Sequence, residues 1–439
     1  MQNVQELREY ADQKLFEGAY PQALHAYALL VQLQPNDLDP RLRLADTLLA
    51  MGEVPGAAFV YTKLAQHAAN AGYPLRALVA IKVLEALEPE LGTLLDSFAG
   101  LYAKSSERLG RAVRLSLGDP MLALPGDIKL DDPPPAEELL PAAAKIGASL
   151  ESIAAYPDKL PAIPLFSELP ADAFAQVLKA LKLQRRRPGE TILAEGDEGT
   201  SFFVLARGTV DIHRTGENGE AIPLATLRDG AIFGEMAMVS AQPRTATVVA
   251  ADDCDLLEFD KEALRAAASE VTTIATALDK FMRERLLSNL LATAPLFRPL
   301  DRKQRLDLVR RFTAHDVAAG THVIREGEAG RGLFVLLSGE VDVWKRDEDE
   351  KVLLATLKPG DLFGEIALIT DDATTATVTA GVNSTVLFLS RELFQKLVEA
   401  LPEIRDYIEN LGDERLMDTQ IVVSATDLEE LDVEDLILL

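Results

Sequence analysis

The chain has 439 residues, too many for a single hydrophobic core, so about three domains are expected. Its 70 acidic side chains against 44 basic ones leave a formal charge of −26, which argues against nucleic acid as a partner, because phosphate backbones require basic surfaces. With 48% hydrophobic and 26% charged residues, the composition is that of an ordinary globular protein and not of a disordered one. A single cysteine, Cys254, rules out a disulfide within the chain and reads as a small buried hydrophobe. No 18-residue apolar run and no basic-then-apolar leader is visible, so no membrane insertion and a cytoplasmic location are expected.

The first predicted elements are helices in a repeat. Ala11, Gly18, Ala23, Tyr27 and Leu30 return as Ala45, Gly52, Ala57, Tyr61 and Leu64, a constant offset of 34. Small residues where two helices touch, an aromatic closing the groove, and Pro35 at the repeat end resemble tetratricopeptide repeats. A partial third unit follows around Gly72-Tyr73-Pro74, with Ala77, Leu84 and Pro89, and the helical pattern continues to about Val113. This resemblance implies a surface for a protein partner; a plain helical bundle is the alternative.

Between Pro120 and Pro170 lie ten of the 23 prolines. Their surroundings are alanine-rich and acidic, which reads as a semi-rigid linker with a short helix near Ala136–Ser152. Pro164-Leu165-Phe166 and a helical stretch to about Leu183 then lead into glycine-punctuated strands. Gly189, Gly196, Gly199 and Gly208 separate short β-branched and aromatic runs, the pattern of an all-β barrel or jelly roll. The run Arg185-Arg186-Arg187 sits where the first strand begins and reads as a solvated strand edge.

Residues 233–248, FGEMAMVSAQPRTATV, carry the chemistry. One carboxylate, Glu235, and one guanidinium, Arg244, stand nine residues apart on a small, apolar segment that opens a one-turn helix. Gly234 lets backbone approach a ligand closely, and a helix start aims N–H groups at an anion. A guanidinium fork suits phosphate oxygens. A carboxylate beside a phosphate is repelled unless it accepts hydrogen bonds from a sugar hydroxyl. A ligand with one phosphate and a ribose 2′-OH satisfies both groups. The segment resembles the phosphate-binding cassette of cyclic nucleotide-binding domains, the modules of bacterial catabolite activators and protein kinase A regulatory subunits. That resemblance implies a site A of Gly234, Glu235, Met236, Ala237, Arg244 and Thr245. The Thr245 hydroxyl could meet a guanine amino group or simply hydrogen-bond backbone. Because bacterial relatives with Ser or Thr at this place accept cAMP, cAMP is favoured over cGMP.

The barrel occurs twice. Pro295-Leu296-Phe297, Gly320, Gly327, Gly330 and Gly339 repeat the first copy at an offset of 131, which falls to 130 where Phe363-Gly364-Glu365 repeats Phe233-Gly234-Glu235. The second cassette, FGEIALITDDATTATV, keeps Glu365 but has Ala373-Thr374 in place of Pro243-Arg244, with Asp371 and Asp372 just before. A charge-assisted bond is worth about 1.5–3 kcal/mol, and stranding a buried charge costs about 2–5 kcal/mol. Loss of the arginine therefore weakens phosphate binding by on the order of ten to several thousand-fold. Site B, comprising Gly364, Glu365, Ile366, Ala367, Thr374 and Thr375, is expected to bind a cyclic monophosphate poorly, to take an uncharged nucleoside, or to be silent.

After this copy, Arg391–Leu411 should form a closing helix, and the tail from Ala425 alternates leucines with six acids and no base. Five scattered histidines, one cysteine and no phosphate-loop motif leave no catalytic or metal-binding constellation, so a non-enzyme without cofactor is expected. No basic helix-turn-helix follows the second barrel.

The expected fold is a multidomain α + β chain: an N-terminal tetratricopeptide-like helical repeat followed by two β jelly-roll barrels with flanking helices. Residues 1–115 are the repeat, 116–160 the linker, 161–292 barrel A, 293–412 barrel B and 413–439 the acidic tail. The order resembles a bacterial relative of the kinase regulatory subunit. It implies a cyclic nucleotide receptor that passes ligand state from barrel A, through the helices of about Lys261–Leu291, to a protein partner on the helical repeat. Phe281 is a candidate lid over the base, although its spacing also suits core packing. Two other readings stay open: a regulatory subunit acting in trans on a kinase, and a ligand-independent scaffold.

Overall fold

The computed structural model describes residues 2–87, 91–111, 119, 121–125, 130–150, 156–216, 218–235, 243–270, 273–274, 276–278, 280–281, 300–301, 303–304, 308, 311–347, 350–370 and 372–429. Two compact units, Met1–Phe281 and Met282–Leu439, make up the chain. No described helix is long and apolar enough to cross a membrane.

Among the described residues, six helices open the first unit: α1 (Val4–Phe16), α2 (Tyr20–Leu33), α3 (Asp39–Ala50), α4 (Val54–Asn70), α5 (Pro74–Leu87) and α6 (Gly92–Tyr102). Pro21, Pro40 and Pro55 sit in the first turns of α2, α3 and α4, where the missing N–H costs nothing. Gly18 and Gly52 close α1 and α3 at φ +76° and +80°, a left-handed conformation that a side chain resists. The 34-residue offset is visible as geometry. Tyr27 donates to Asp12 at 2.6 Å, and Tyr61 donates to Asp46 in the same way. Both tyrosines are buried with the alanines and leucines of the repeat pattern.

The proline-rich segment forms α7 (Ala136–Ala148). It is not a free spacer. It packs on α2, α3 and α4, and a Cβ added at Gly147 would come 2.8 Å from Leu44 Cδ2 and 2.9 Å from Val60 Cγ2. Its end is held by Arg41, whose fully buried guanidinium donates to the carbonyls of Ile146 (3.1 Å), Gly147 (2.8 Å) and Pro35 (3.2 Å). The Ile146 and Gly147 carbonyls carry the negative end of the α7 dipole, which suits a cation. Burial lowers the Arg41 pKa to about 10.

A 3₁₀ turn (Phe166–Glu168) and α8 (Ala171–Ala180) lead into barrel A. Its strands are β1 (Lys182–Arg186), β2 (Thr191–Leu193), β3 (Ser201–Arg207), β4 (Thr209–Thr215), β5 (Ala221–Arg228), β6 (Ile232–Phe233), β7 (Thr247–Ala250) and β8 (Cys254–Asp260). They form two antiparallel sheets in the orders β1-β8-β3-β6 and β2-β7-β4-β5, a jelly-roll arrangement, and α9 (Lys261–Glu270) follows. Barrel B repeats this with β9 (Thr313–Val317), β10 (His322–Ile324), β11 (Gly332–Ser338), β12 (Val341–Asp347), β13 (Glu350–Leu357), β14 (Leu362–Phe363), β15 (Thr377–Ala380) and β16 (Ser384–Ser390). Its sheet orders match: β9-β16-β11-β14 and β10-β15-β12-β13. Even the irregularity in the central ladder recurs, between Leu205 and Arg207 in one copy and Leu336 and Ser338 in the other. The second unit includes helices α10 (Ile366–Ile369), α11 (Arg391–Ala400) and α12 (Pro402–Glu429).

The cores are apolar clusters between the sheets. In barrel A, Phe203 and Phe233 stack at 5.6 Å beside Leu205, Val210 and Cys254. Cys254 is thus a core residue, and burial pushes its thiol up to about 12. Phe281 is also buried, 5.8 Å from Phe202, which stacks in turn on Phe259. Of its two expected roles, this contact is core packing.

Helices and barrel A meet through charges inside the first unit. Arg76 of α5 donates to Asp39 at 2.9 Å, to the Ala206 carbonyl of β3 at 2.5 Å, and to Asp229. Burial pushes the Asp39 carboxyl up, but Arg76 outweighs it and holds Asp39 below its ordinary value. Arg43 of α3 pairs with Asp253, and Arg185 of β1 reaches Asp46 of α3 at 2.8 Å. Arg185 is therefore part of an interface and not a freely solvated edge residue.

If α7 belongs to this packing, Gly147→Val drives methyl groups into Leu44 and Val60, with an expected loss of about 1–3 kcal/mol. Urea denaturation measures it; an unchanged midpoint would show that α7 is not held there.

Candidate functional site

Two short strands, β6 and β14, end at the glycines that open the cassettes. Gly234 has φ +84°, and a Cβ there would lie 2.9 Å from the Arg244 guanidinium and 3.1 Å from Leu193. Only glycine gives Arg244 this room. Glu235 is 2% exposed and Arg244 7% exposed. The arginine donates through one Nη to the Gly234 carbonyl at 2.5 Å and through the other to the Ser201 carbonyl at 2.7 Å. Burial lowers its pKa, and Asp197, Glu235 and Glu258 oppose that. Backbone bonds fix its position: Gly196 N–H donates to the Arg244 carbonyl at 2.9 Å, and Arg244 N–H to the Asp197 carbonyl at 2.8 Å. Of the six residues expected in site A, Gly234, Glu235 and Arg244 are brought together, Thr245 is exposed beside them, and Met236 and Ala237 lie outside the described residues.

Site B uses the same backbone frame. Gly327 N–H donates to the Thr374 carbonyl at 2.9 Å, and Thr374 N–H to the Glu328 carbonyl at 2.9 Å. What differs is the side chain. The Thr374 hydroxyl donates to the carbonyl of Arg325 at 2.5 Å and lies 3.1 Å from that of Glu328. It caps local backbone, whereas Arg244 reaches across to β3. Gly364, at φ +82°, lets Ile324 and the Gly332 carbonyl approach to 3.0 Å of where a Cβ would stand. Glu365 is 1% exposed and accepts from Arg415 of α12 at 2.7 Å; the same Arg415 nitrogen is 2.7 Å from the Leu362 carbonyl. Ile366 and Ala367 begin α10, and Arg391 donates to the Ala367 carbonyl at 2.9 Å and to that of Gly330 at 2.8 Å. A cavity of about 220 Å³ lies between α12 and the barrel, lined by Ile324, Val343, Leu357, Glu365, Thr375 and Arg415 among others. Its walls are mostly aliphatic.

Each barrel matches the family model described as "cyclic nucleotide-binding domain", at residues 183–270 and 314–400. The chain carries two cyclic nucleotide-binding domains. It is similar to the cAMP-dependent protein kinase regulatory subunit of Yarrowia lipolytica, 35% identical over 234 residues, covering 53% of this chain and 58% of that protein. To the regulatory subunit of Eremothecium gossypii it is 32% identical over 240 residues, covering 55% of this chain and 49% of that protein. The chain thus spans about half the length of the curated relatives it matches. A solved structure of the regulatory domain of Toxoplasma gondii protein kinase A with cAMP is also similar, at 22% identity and a TM-score of 0.28, over 57% of this chain and 92% of that one. The expected bacterial kinship finds no support in these two curated relatives, which are fungal.

Sequence reasoning missed Arg415. It lies 50 residues beyond Glu365 on a helix expected to stop at Leu411, whereas α12 runs to Glu429. The mixed acidic and basic residues after Leu411 carry no signal that one of them turns into the second cyclic nucleotide-binding domain. Pro402 is the legible part: it ends α11 and starts α12.

Because Arg415 is the cation on a buried carboxylate, Arg415→Ala is expected to destabilise the second unit by about 1–3 kcal/mol. Adding Glu365→Gln should recover part of that loss in urea denaturation. Equal midpoints for wild type and Arg415→Ala would show that the pair does not hold α12 in place.

Proposed function

We propose that this protein is a non-enzymatic, cytoplasmic receptor for a cyclic mononucleotide, with cAMP favoured over cGMP, and that barrel A holds the working site. The observation that supports this best is the placement of Arg244. It is buried next to Glu235, and two backbone carbonyls use part of its five-donor fork. In this reading the rest of the fork and the N–H groups near Ala237 take the phosphate, and Glu235 accepts the ribose 2′-OH. Thr245 is exposed beside Arg244, and in this reading its hydroxyl meets the base or hydrogen-bonds backbone. The relatives' name, cAMP-dependent protein kinase regulatory subunit, supports a kinase catalytic subunit as partner in trans. The tetratricopeptide-like helical repeat offers a protein-binding surface on the faces that barrel A does not use.

Site B has a different chemistry. Thr374 spends its hydroxyl on local carbonyls, Glu365 is paired with Arg415, and the cavity is largely aliphatic. This supports an uncharged nucleoside there, or no ligand at all, over a cyclic monophosphate.

Isothermal titration of the full chain with cAMP and then cGMP tests the reading. One site of about 1:1 stoichiometry is expected, weakened on the order of ten to several thousand-fold by Arg244→Ala. A second cyclic nucleotide site that survives Arg244→Ala would overturn the assignment of site B. No heat with either nucleotide, together with unchanged melting, would favour the scaffold.

A further inference from the structure

Barrels A and B share one sequence pattern, yet at one edge A carries paired arginines and aspartates where B keeps a single aspartate. Arg185, Arg207, Asp229, Asp253 and Asp255 line it, and at the offsets of 131 and 130 their counterparts in barrel B are Asp316, Ser338, Pro359, Asn383 and Thr385. Where Arg185 bonds Asp255 at 3.1 Å in barrel A, Thr385 merely donates to Asp316 at 2.9 Å in barrel B. Arg207 adds bonds to Asp253 at 2.9 Å and to Asp255 at 2.7 Å. Facing this edge, the helices present Asp39, Arg43, Asp46 and Arg76. Buried charge pairs of this kind add little net stability but strongly penalise a wrong partner.

We propose that through this charged dock, where α3 and α5 meet the Arg/Asp edge of barrel A, the helical repeat reads the occupancy of site A, an inference that rests on the receptor reading of that site. Strand β3 is the connection. At its start the Ser201 carbonyl accepts from Arg244, and five residues on the Ala206 carbonyl accepts from Arg76. Arg76 also grips Asp229, whose carboxylate accepts from Gly208 N–H at 2.9 Å, so both ends of the turn after β3 are held by one side chain. A phosphate on the remaining Arg244 donors pulls on the guanidinium that the Ser201 and Gly234 carbonyls hold. The restraint on the start of β3 then changes, and its other end is the floor of the dock. Arg76 is a positioning residue in this scheme. By linkage, whatever the nucleotide does to the dock, the dock does equally to nucleotide affinity.

Hydrogen exchange of the full chain, with and without saturating cAMP, is the test. In the wild type, amides of α3 and α5 are expected to change their exchange rate by about fivefold or more on binding, the lower end of ordinary coupling. Arg244→Ala should abolish that response. Arg76→Ala should leave a binding heat, shift cAMP affinity by a similar factor, and uncouple α3 and α5 from the nucleotide. Arg76→Lys keeps the charge but loses the fork; should Arg76→Ala not fold, this variant is expected to fold and show a reduced response. Normal binding heat with unchanged exchange in wild-type α3 and α5 would overturn the inference and leave the receptor standing. So would a nucleotide response in α5 that persists in Arg76→Lys and Arg76→Ala, since a merely structural arginine alters exchange equally with and without ligand. Absence of binding heat would overturn both readings together.

Discussion

In both barrels the later part of the cassette is tied to the loop after the second strand by two backbone hydrogen bonds, Gly196–Arg244–Asp197 in one copy and Gly327–Thr374–Glu328 in the other. This clasp uses only peptide groups, so it is indifferent to the side chain at its centre. Buried backbone donors and acceptors must find partners whatever the function, and here they fix one position at the mouth of each barrel. An arginine at that position reaches Ser201 and Gly234. A threonine at the same position turns back on its own loop. Two sites of different chemistry thus arise from one frame.

The second constraint is the burial of charge where helices and barrel A meet. Arg76, Arg43 and Asp255 are all buried, and removing one partner from such a set costs about 3–5 kcal/mol, because an uncompensated charge is left behind. Hydrophobic packing alone would tolerate sliding; fork-shaped guanidinium contacts to Asp39 and Asp229 do not. The same logic on a smaller scale operates in the second unit, where Arg415 ties α12 to Glu365.

Local chemistry was readable in advance, and long-range pairing was not. Glycines and prolines announced turns and helix starts because their backbone restrictions are intrinsic. Tyr27 and Tyr61 were legible through their spacing, and their bonds to Asp12 and Asp46 repeat that spacing in space. Glu235 and Arg244 stood out because all sixteen residues around them fit one pattern; a lone pair of opposite charges would have read as an ordinary surface Glu and Arg. By contrast, Arg76 and Asp229 are separated by 153 positions and Glu365 and Arg415 by 50; nothing periodic connects them. The proline-rich stretch suggested a spacer because composition reports local stiffness, whereas the fit of Gly147 between Leu44 and Val60 is a property of three helices at once. Arg185 suggested a solvent-facing edge for the same reason, its partner on α3 being invisible from strand chemistry.

The order of synthesis gives the charged dock one more consequence. The helices leave the ribosome first, and the last residue of the edge they await, Asp255, lies 179 positions after Arg76. At about 5–20 residues per second, the nascent helices wait roughly ten to forty seconds for their partner. Had the waiting face been apolar, it would have been adhesive throughout that interval. Asp39, Arg43, Asp46 and Arg76 keep it hydrated, so the half-made chain stays soluble until the barrel strands arrive to dehydrate it.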